Sequence, residues 1–261
     1  MTAPLTFRLL GYGIAYSASP MMMRAAFAAM DLPHDYELAD VPHESVDSTV
    51  EALRESGIGG ANVTTPHKLA VARLMDAWAP EAEEAGAVNT VVREGRRLIG
   101  HNTDLPALID AIRGLRPDGI RKAVLLGAGG ASRSVVLALE ACGAKEIAAV
   151  TRSDGSWNRI ESLLTGADLV VNATPIGMNE ERSPVPAACL RDDLAVLDLV
   201  YRPSPTRLVH EARAVGADAK AGAGVLLGQG WRSLELWLHE PPPVEVMRAA
   251  LQLELGDGAD V

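Results

Sequence analysis

Four short polar segments hold the side chains best suited to move a proton or grip a small anion. They are Tyr16-Ser-Ala-Ser-Pro20, Asn62-Val-Thr-Thr-Pro-His-Lys68, Gly86-Ala-Val-Asn-Thr90 and Gly100-His-Asn-Thr-Asp104. Lys68 follows an apolar strand-like run and stands beside threonine and histidine. The hydroxyls of Ser17 and Ser19, two residues apart before a helix, suit a carboxylate or a polyol. Each segment also has a plain structural reading. Ser19 precedes a helical pattern and Asp104 opens one, so both read as caps, Asn89 as a turn residue and Lys68 as a solvated charge. It is the four together that point to chemistry.

A fifth segment suits a nucleotide. Val124-Leu-Leu-Gly-Ala-Gly-Gly-Ala-Ser132 takes a buried strand through Gly127, Gly129 and Gly130 into a helix beginning at Ala131. Glycines at a strand-to-helix turn let backbone N–H groups approach a pyrophosphate at the helix N-terminus. Ser132 stands where a third glycine is usual. The next strand ends in Ala149-Val-Thr-Arg-Ser153, with no acidic residue to take a ribose diol. Arg152 suits the 2′-phosphate of NADP, and Thr151 and Ser153 can add hydrogen bonds, so NADP is expected, with NAD as the weaker alternative. Asp154 follows at once, and Arg159 is the next cation.

These segments need a frame, and the chain supplies one in two styles. Thr6–Tyr12, Asp35–Leu38, Ala61–Thr64, Val88–Val92 and Arg97–His101 read as strands. Pro20–Met30, Glu44–Ser56, Leu69–Trp78 and Asp104–Leu115 read as helices, the first capped by Ser19. From Lys122 the pattern becomes regular βαβ. Strands are expected at Lys122–Leu126, Glu146–Arg152, Asp168–Ala173, Ala195–Val200 and Asp218–Ala221, and helices at Ala131–Cys142, Asn158–Leu164 and Thr206–Val215. Apolar strands alternating with helices make a parallel sheet covered on both faces. A long amphipathic helix, Val225–His239, and a last helix ending at Leu255 have no strand partners left there. The expected architecture is therefore α/β with two domains. A discontinuous α/β substrate domain takes residues 1–104 and 224–261, and a Rossmann-like nucleotide-binding domain takes 105–223. Only the 15 residues Ser153–Ala167 separate Arg152 from Asp168. One helix with its turns fits there and a further strand does not, so Glu146–Arg152 is expected at the sheet edge.

The 261 residues are 48% apolar and 22% charged, an ordinary globular profile. A net charge of −10 with no basic block argues against nucleic acid. No apolar run is long enough to span a membrane, and no signal peptide is seen. Cys142 and Cys189 lie in apolar surroundings without metal-ligand spacing and read as reduced structural thiols. A cytoplasmic enzyme, monomer or homodimer, acting on a small molecule fits this profile.

Taken in order, the segments resemble the shikimate dehydrogenase family. The matching stretches are Gly13-Ile-Ala-Tyr-Ser-Ala-Ser-Pro20, Gly60-Ala-Asn-Val-Thr-Thr-Pro-His-Lys68, Gly86-Ala-Val-Asn-Thr90 and Asn102-Thr-Asp104. They continue with Gly127-Ala-Gly-Gly-Ala131, Asp168-Leu-Val-Val-Asn-Ala-Thr-Pro-Ile-Gly-Met178, Asp198-Leu-Val-Tyr201 and Leu226-Leu-Gly-Gln229. The resemblance implies NADP-dependent, reversible reduction of 3-dehydroshikimate to shikimate, a step toward aromatic amino acids. It implies Lys68 as acid/base paired with Asp104, and Ser17 and Ser19 on the substrate carboxylate. Thr64, Asn89, Tyr201 and Gln229 match further substrate contacts. Gly127, Ala128, Gly129, Gly130, Ala131, Thr151, Arg152, Ser153, Leu199 and Gly222 match cofactor contacts, and no metal is implied. The chain departs from the family at Tyr16, where histidine is usual, at Leu105-Pro106, where glycine is common, and in the short 153–167 stretch. A quinate or related cyclic hydroxy-acid dehydrogenase is the alternative within the family, disfavoured because Ser19 is kept where quinate users often carry threonine. A non-catalytic nucleotide sensor predicts loss of Lys68 or Asp104, and both are present.

Overall fold

The computed structural model describes residues 3–152, 154–256, 259 and 261. The chain divides into two compact units, Met1–Asp104 with Leu227–Glu254, and Leu105–Leu226 with Leu255–Val261. The return to the first unit thus falls at Leu227, slightly later than the expected Gly224, and the last residues group with the second unit.

The first unit is built on β1 (Thr6–Gly11), β2 (Asp35–Asp40), β3 (Ile58–Val63), β4 (Ala77–Trp78), β5 (Thr90–Glu94) and β6 (Arg97–His101), in the order β2-β1-β3-β5-β6-β4. β1 pairs in parallel with β2 and β3, whereas β5 runs antiparallel to both β3 and β6. Its helices are α1 (Ser19–Ala29), α2 (Val46–Ala52), α3 (Lys68–Ala72) and α4 (Pro80–Ala85). A core of Leu10, Val46, Val50, Leu53, Val63, Val71, Val88, Val91 and Leu98 joins the sheet to α2 and α3. The Phe7 ring packs at a tilt against Phe27 of α1 and Trp237, with ring centroids 5.2 and 4.7 Å apart. Trp237 comes close to the sheet only because Gly60 has no side chain. A Cβ there would lie 2.5 Å from the indole Nε1.

Several local expectations fail in this unit: Asp104, read as a cap, is itself the first residue of the helix Asp104–Leu115, and the expected Glu44–Ser56 helix narrows to Val46–Ala52. Ser19 is the first residue of α1 rather than its cap; Ala18 is the N-cap, and no side chain caps the helix. The Leu69–Trp78 helix stops at Ala72, and Ala77–Trp78 pairs with β6 instead. Asp76 is pulled out of the helical path because its carboxylate accepts from Leu98 N–H at 2.7 Å and from Arg54 at 2.5 Å. Tertiary bonds override the helical period of the apolar residues here.

Helix α5 (Asp104–Leu115) leads into the second unit. There β7 (Lys122–Leu126), β8 (Glu146–Val150), β9 (Leu169–Asn172), β10 (Ala195–Asp198) and β11 (Ala219–Ala221) form a parallel sheet in the order β11-β10-β9-β7-β8. Successive strand residues face opposite cores. Val124, Leu126, Val170 and Val196 pack on one side with α7 (Ile160–Leu164) and α8 (Arg207–Ala214). Ala123, Leu125, Leu169, Val171 and Leu197 pack on the other with α5 and α6 (Ser132–Ala141). The strand order is that of a dinucleotide-binding sheet lacking its third strand. β8 is therefore an edge, and no described residue between 151 and 168 is in a strand, as the short 153–167 stretch leads one to expect.

Helices α9 (Ala223–Leu238) and α10 (Val244–Leu255) complete the chain. Among the described residues, no helix is long and apolar enough to cross a membrane.

Candidate active site

Strand register decides which polar segments meet. Asn62, near the C-terminal end of β3, pairs with Thr90 at the start of β5, and Thr90 pairs with His101 at the end of β6. The loops after β1, β3 and β6 and the entry to β5 therefore open at one end of the sheet. That end carries Ser17, Ser19, Thr64, Lys68, Asn89 and Asp104.

Lys68 opens α3 and Asp104 opens α5. Lys68 Nζ donates to Asp104 Oδ2 at 2.5 Å, and the two side chains are only 11% and 14% exposed. Asn89 fixes the other carboxylate oxygen. Its Oδ1 accepts from Thr103 N–H at 2.7 Å, which sets the direction of the amide, because a backbone N–H can only donate. Asn89 Nδ2 then donates to Thr103 Oγ1 and to Asp104 Oδ1, both at 2.9 Å. Both amide hydrogens and the oxygen are engaged, so Asp104 presents Oδ2 to Lys68 in one orientation.

Behind this pair lies a buried cluster not read from the sequence. Asn62 Nδ2 reaches Ser233 Oγ at 2.8 Å and Thr90 Oγ1 at 3.0 Å, and Tyr36 OH donates to Asn62 Oδ1 at 2.8 Å. Thr90 and Thr103 hydroxyls lie 2.9 and 3.3 Å from Ser233 Oγ, which itself donates to Gln229 O at 2.9 Å. The available signal was Ser233 on the apolar stripe of α9, between Gly230 and Trp237.

The remaining candidates of the first unit are Ser17, Ser19, Thr64 and Gln229, the last of which accepts from Ser233 Oγ through its backbone carbonyl. Ser17 Oγ donates to Ser19 Oγ at 3.2 Å and accepts from Ser19 N–H at 3.3 Å. Ser19 is buried and Ser17 half-buried. Half-buried Thr64 follows β3, and its methyl would lie 2.6 Å from a Cβ on Gly11. Gln229 is half-buried on α9.

The second unit presents a different surface. The turn between β7 and α6 leaves Ala128, Gly129 and Gly130 exposed, and Ala131 is the N-cap of α6. A Cβ added at Gly129 or Gly130 would meet no described heavy atom within 4 Å, so the backbone borders open space. Gly127 has φ +107, and a Cβ there would press on Thr174 Cγ2 at 3.0 Å. Ser132, in place of a third glycine, turns its hydroxyl back to Gly127 O at 3.2 Å. An open glycine turn on a ten-residue helix N-terminus fits a dinucleotide pyrophosphate.

Other cofactor candidates also lie at carboxyl ends of this parallel sheet, where open α/β sheets bind ligands. Thr151 and Arg152 follow β8. Leu199 follows β10, and Gly222 follows β11 and packs on it; a Cβ at Gly222 would fall 2.3 Å from Leu199 O. Ser153 lies outside the described residues. Tyr201, half-buried, follows the same turn in the second unit. That turn is held by Asp198, which is fully buried. Its carboxyl accepts from Asn172 Nδ2 (2.8 Å), Val200 N–H (3.1 Å) and Thr206 Oγ1 (2.7 Å). Burial pushes this carboxyl up to about 6 despite those donors.

Two family models match the chain. The shikimate dehydrogenase substrate binding domain matches residues 9–91, and the shikimate 5′-dehydrogenase C-terminal domain matches residues 222–252. The chain is 41% identical to a shikimate dehydrogenase (NADP(+)) of Methanopyrus kandleri, covering 93% of each chain. It is 38% identical to that of Symbiobacterium thermophilum, over 93% of this chain and 92% of the relative. Among solved structures, shikimate 5-dehydrogenase from Thermus thermophilus, in complex with NADP(H) and shikimate, superposes with a TM-score of 0.85. It is 34% identical, covering 96% of this chain and 100% of that one.

Proposed function

The chain belongs to the shikimate dehydrogenase family, and on that premise we propose that it interconverts 3-dehydroshikimate and shikimate with NADPH and NADP+. The observation that carries this reading is the enclosed Lys68–Asp104 pair, with Asn89 holding the carboxylate. A carbonyl that gains a hydride becomes an alkoxide and needs one proton. Lys68 donates that proton from Nζ to the nascent oxygen, and in the reverse direction it takes the proton from the substrate hydroxyl. A cation already in place stabilises the developing negative charge without reorganisation. Asp104 aims the ammonium, and Asn89 keeps Asp104 from turning away.

Ser17 and Ser19 take the substrate carboxylate, with Thr64, Asn89, Tyr201 and Gln229 as further contacts. Residues 127–131 hold the pyrophosphate on backbone N–H groups. Thr151, Arg152 and Ser153 take the 2′-phosphate, and Leu199 and Gly222 border the cofactor through backbone. When bound, the nicotinamide supplies or accepts the hydride. The enzyme's partner is the small anionic substrate, and we place it in the cytoplasm as monomer or homodimer.

The test is a kinetic panel of shikimate and quinate, each with NADP+ and with NAD+. Shikimate with NADP+ is expected to give the highest kcat/KM of the four. Faster turnover of quinate would move the chain to the quinate dehydrogenases, and no turnover of either would remove the reading.

A further inference from the structure

The loop after β8 is closed on itself. Thr151 N–H donates to Ser156 Oγ at 2.8 Å, and Ser156 Oγ donates back to Thr151 O at 3.2 Å. Ser156 N–H donates to Asp154 Oδ1 at 2.8 Å, and Asp154 N–H reaches Thr151 Oγ1 at 3.4 Å. Ser156 is 5% exposed, so the loop is pinned at a buried point. Hydrogen bonding with Ser156 holds the Asp154 carboxyl below its ordinary range. Asp154 is thus a carboxylate bound to its own loop. The next residue, Trp157, packs against the apolar core that contains Val150, Ile160 and Leu164. The exposed Arg152 guanidinium rests over its ring, with Cζ 5.7 Å from the centroid. That distance is within cation–π range.

This arrangement answers a problem of charge. A 2′-phosphate attracts Arg152 and is repelled by Asp154, whereas the neutral ribose diol of NAD attracts a free carboxylate. Arginine on a flexible stem also loses rotamer freedom when it binds. Arg152 lies in the loop two residues past β8, the sheet edge, and among the described residues no further strand lies beyond β8 to flank it.

We propose that Trp157 is a specificity-determining residue: its ring holds the Arg152 guanidinium ready for the 2′-phosphate of NADP, while Ser156 keeps Asp154 turned into the loop. Trp157 is a positioning residue, acting through Arg152. The proposal rests on the reading that this unit binds NADP.

Calorimetric titration of the full-length protein with NADP+, NAD+, adenosine 2′,5′-bisphosphate and 5′-AMP tests it. In Trp157→Ala, affinity for NADP+ and for the bisphosphate should fall roughly two- to fivefold, the scale of an exposed cation–π contact, with NAD+ and 5′-AMP unchanged. Trp157→Phe, which keeps an aromatic face, should retain most of the wild-type preference. In an Arg152→Ala background the Trp157 substitution should have no further effect on the ratio, because the pair acts as one unit. Equal losses for phosphorylated and unphosphorylated ligands would overturn the proposal, and so would a Trp157 effect that persists without Arg152. If the wild type binds NAD+ as tightly as NADP+, the cofactor reading itself fails before any variant is made.

Discussion

The carboxyl end of the first unit's sheet and that of the second are built by opposite means. In the first, Lys68, Asn89, Asp104, Thr90, Thr103 and Ser233 are mostly buried side chains, each engaged in hydrogen bonds. In the second, the glycine turn offers exposed backbone bordering open space, and exposed Arg152 lies in the loop that follows the edge strand. The difference suits the two tasks proposed for them. Proton donation depends on one charge held in one orientation, where stray rotation costs rate. Pyrophosphate binding depends on N–H groups that any sequence carries, provided no Cβ stands in the way. The first end should therefore be sensitive to single side-chain deletions in stability as well as rate. The second should respond through affinity.

The largest expected effect is at Asp104. Asp104→Ala leaves the Lys68 ammonium enclosed without its counter-charge and one Asn89 Nδ2 hydrogen without an acceptor. Breaking an enclosed ion pair from one side costs about 3 kcal/mol or more. Urea denaturation should show that loss alongside loss of turnover, while NADP+ affinity stays near wild type. An Asp104→Ala protein as stable as wild type would show that the cluster is not held together as described.

Asp198 is the second unit's exception, a buried carboxyl amid an otherwise backbone-built edge. Its pKa is raised from 3.8 to about 6, so between these values the folded state holds a proton that the unfolded state has released. Stability from this group therefore falls as pH rises from about 4 to about 6 and is level above. The shift corresponds to something of order 2–3 kcal/mol. Denaturation of wild type and Asp198→Asn across this range isolates it. The stability difference, wild type minus variant, should decline with rising pH, and a flat difference would contradict the shift.

Ser17 should give the smallest effect. Its proposed partner is the substrate carboxylate, which does not change charge in the reaction. Ser17→Ala is expected to raise KM for shikimate about three- to tenfold, the worth of one hydrogen bond, with kcat nearly unchanged. A fall in kcat at constant KM would place Ser17 with the proton-transfer group instead. Ser19 makes a poorer probe of substrate contact, since it is buried and bonded to Ser17.

How much of this was legible in the sequence varies with the range of the forces involved. The parallel sheet was readable because runs such as Val124–Leu126 and Leu169–Val171 are buried on both faces and hence apolar throughout. The open edge at β8 was readable by counting residues. Lys68 and Asp104 stood out as polar groups at strand ends, but their 2.5 Å contact depends on the pairing of β3, β5 and β6. The Leu69–Trp78 segment misled because its apolar spacing is helical, and the bonds that break it come from Arg54 and Leu98. Ser19 misled as a cap because a serine before proline is a strong local signal, yet its hydroxyl is drawn to Ser17. The Asn62–Thr90–Thr103–Ser233 cluster joins residues far apart in the chain, and the one local hint, a serine on the apolar stripe of α9, does not say what it meets.

The most direct test of the central claim is a single-turnover measurement on Lys68→Ala, mixed with shikimate and saturating NADP+ and followed by NADPH absorbance. Lys68 is assigned to proton transfer and the second unit to the cofactor. NADPH formation should therefore slow at least about a hundredfold while the calorimetric affinity for NADP+ is unchanged. NADPH formation at a near-wild-type rate would contradict the account.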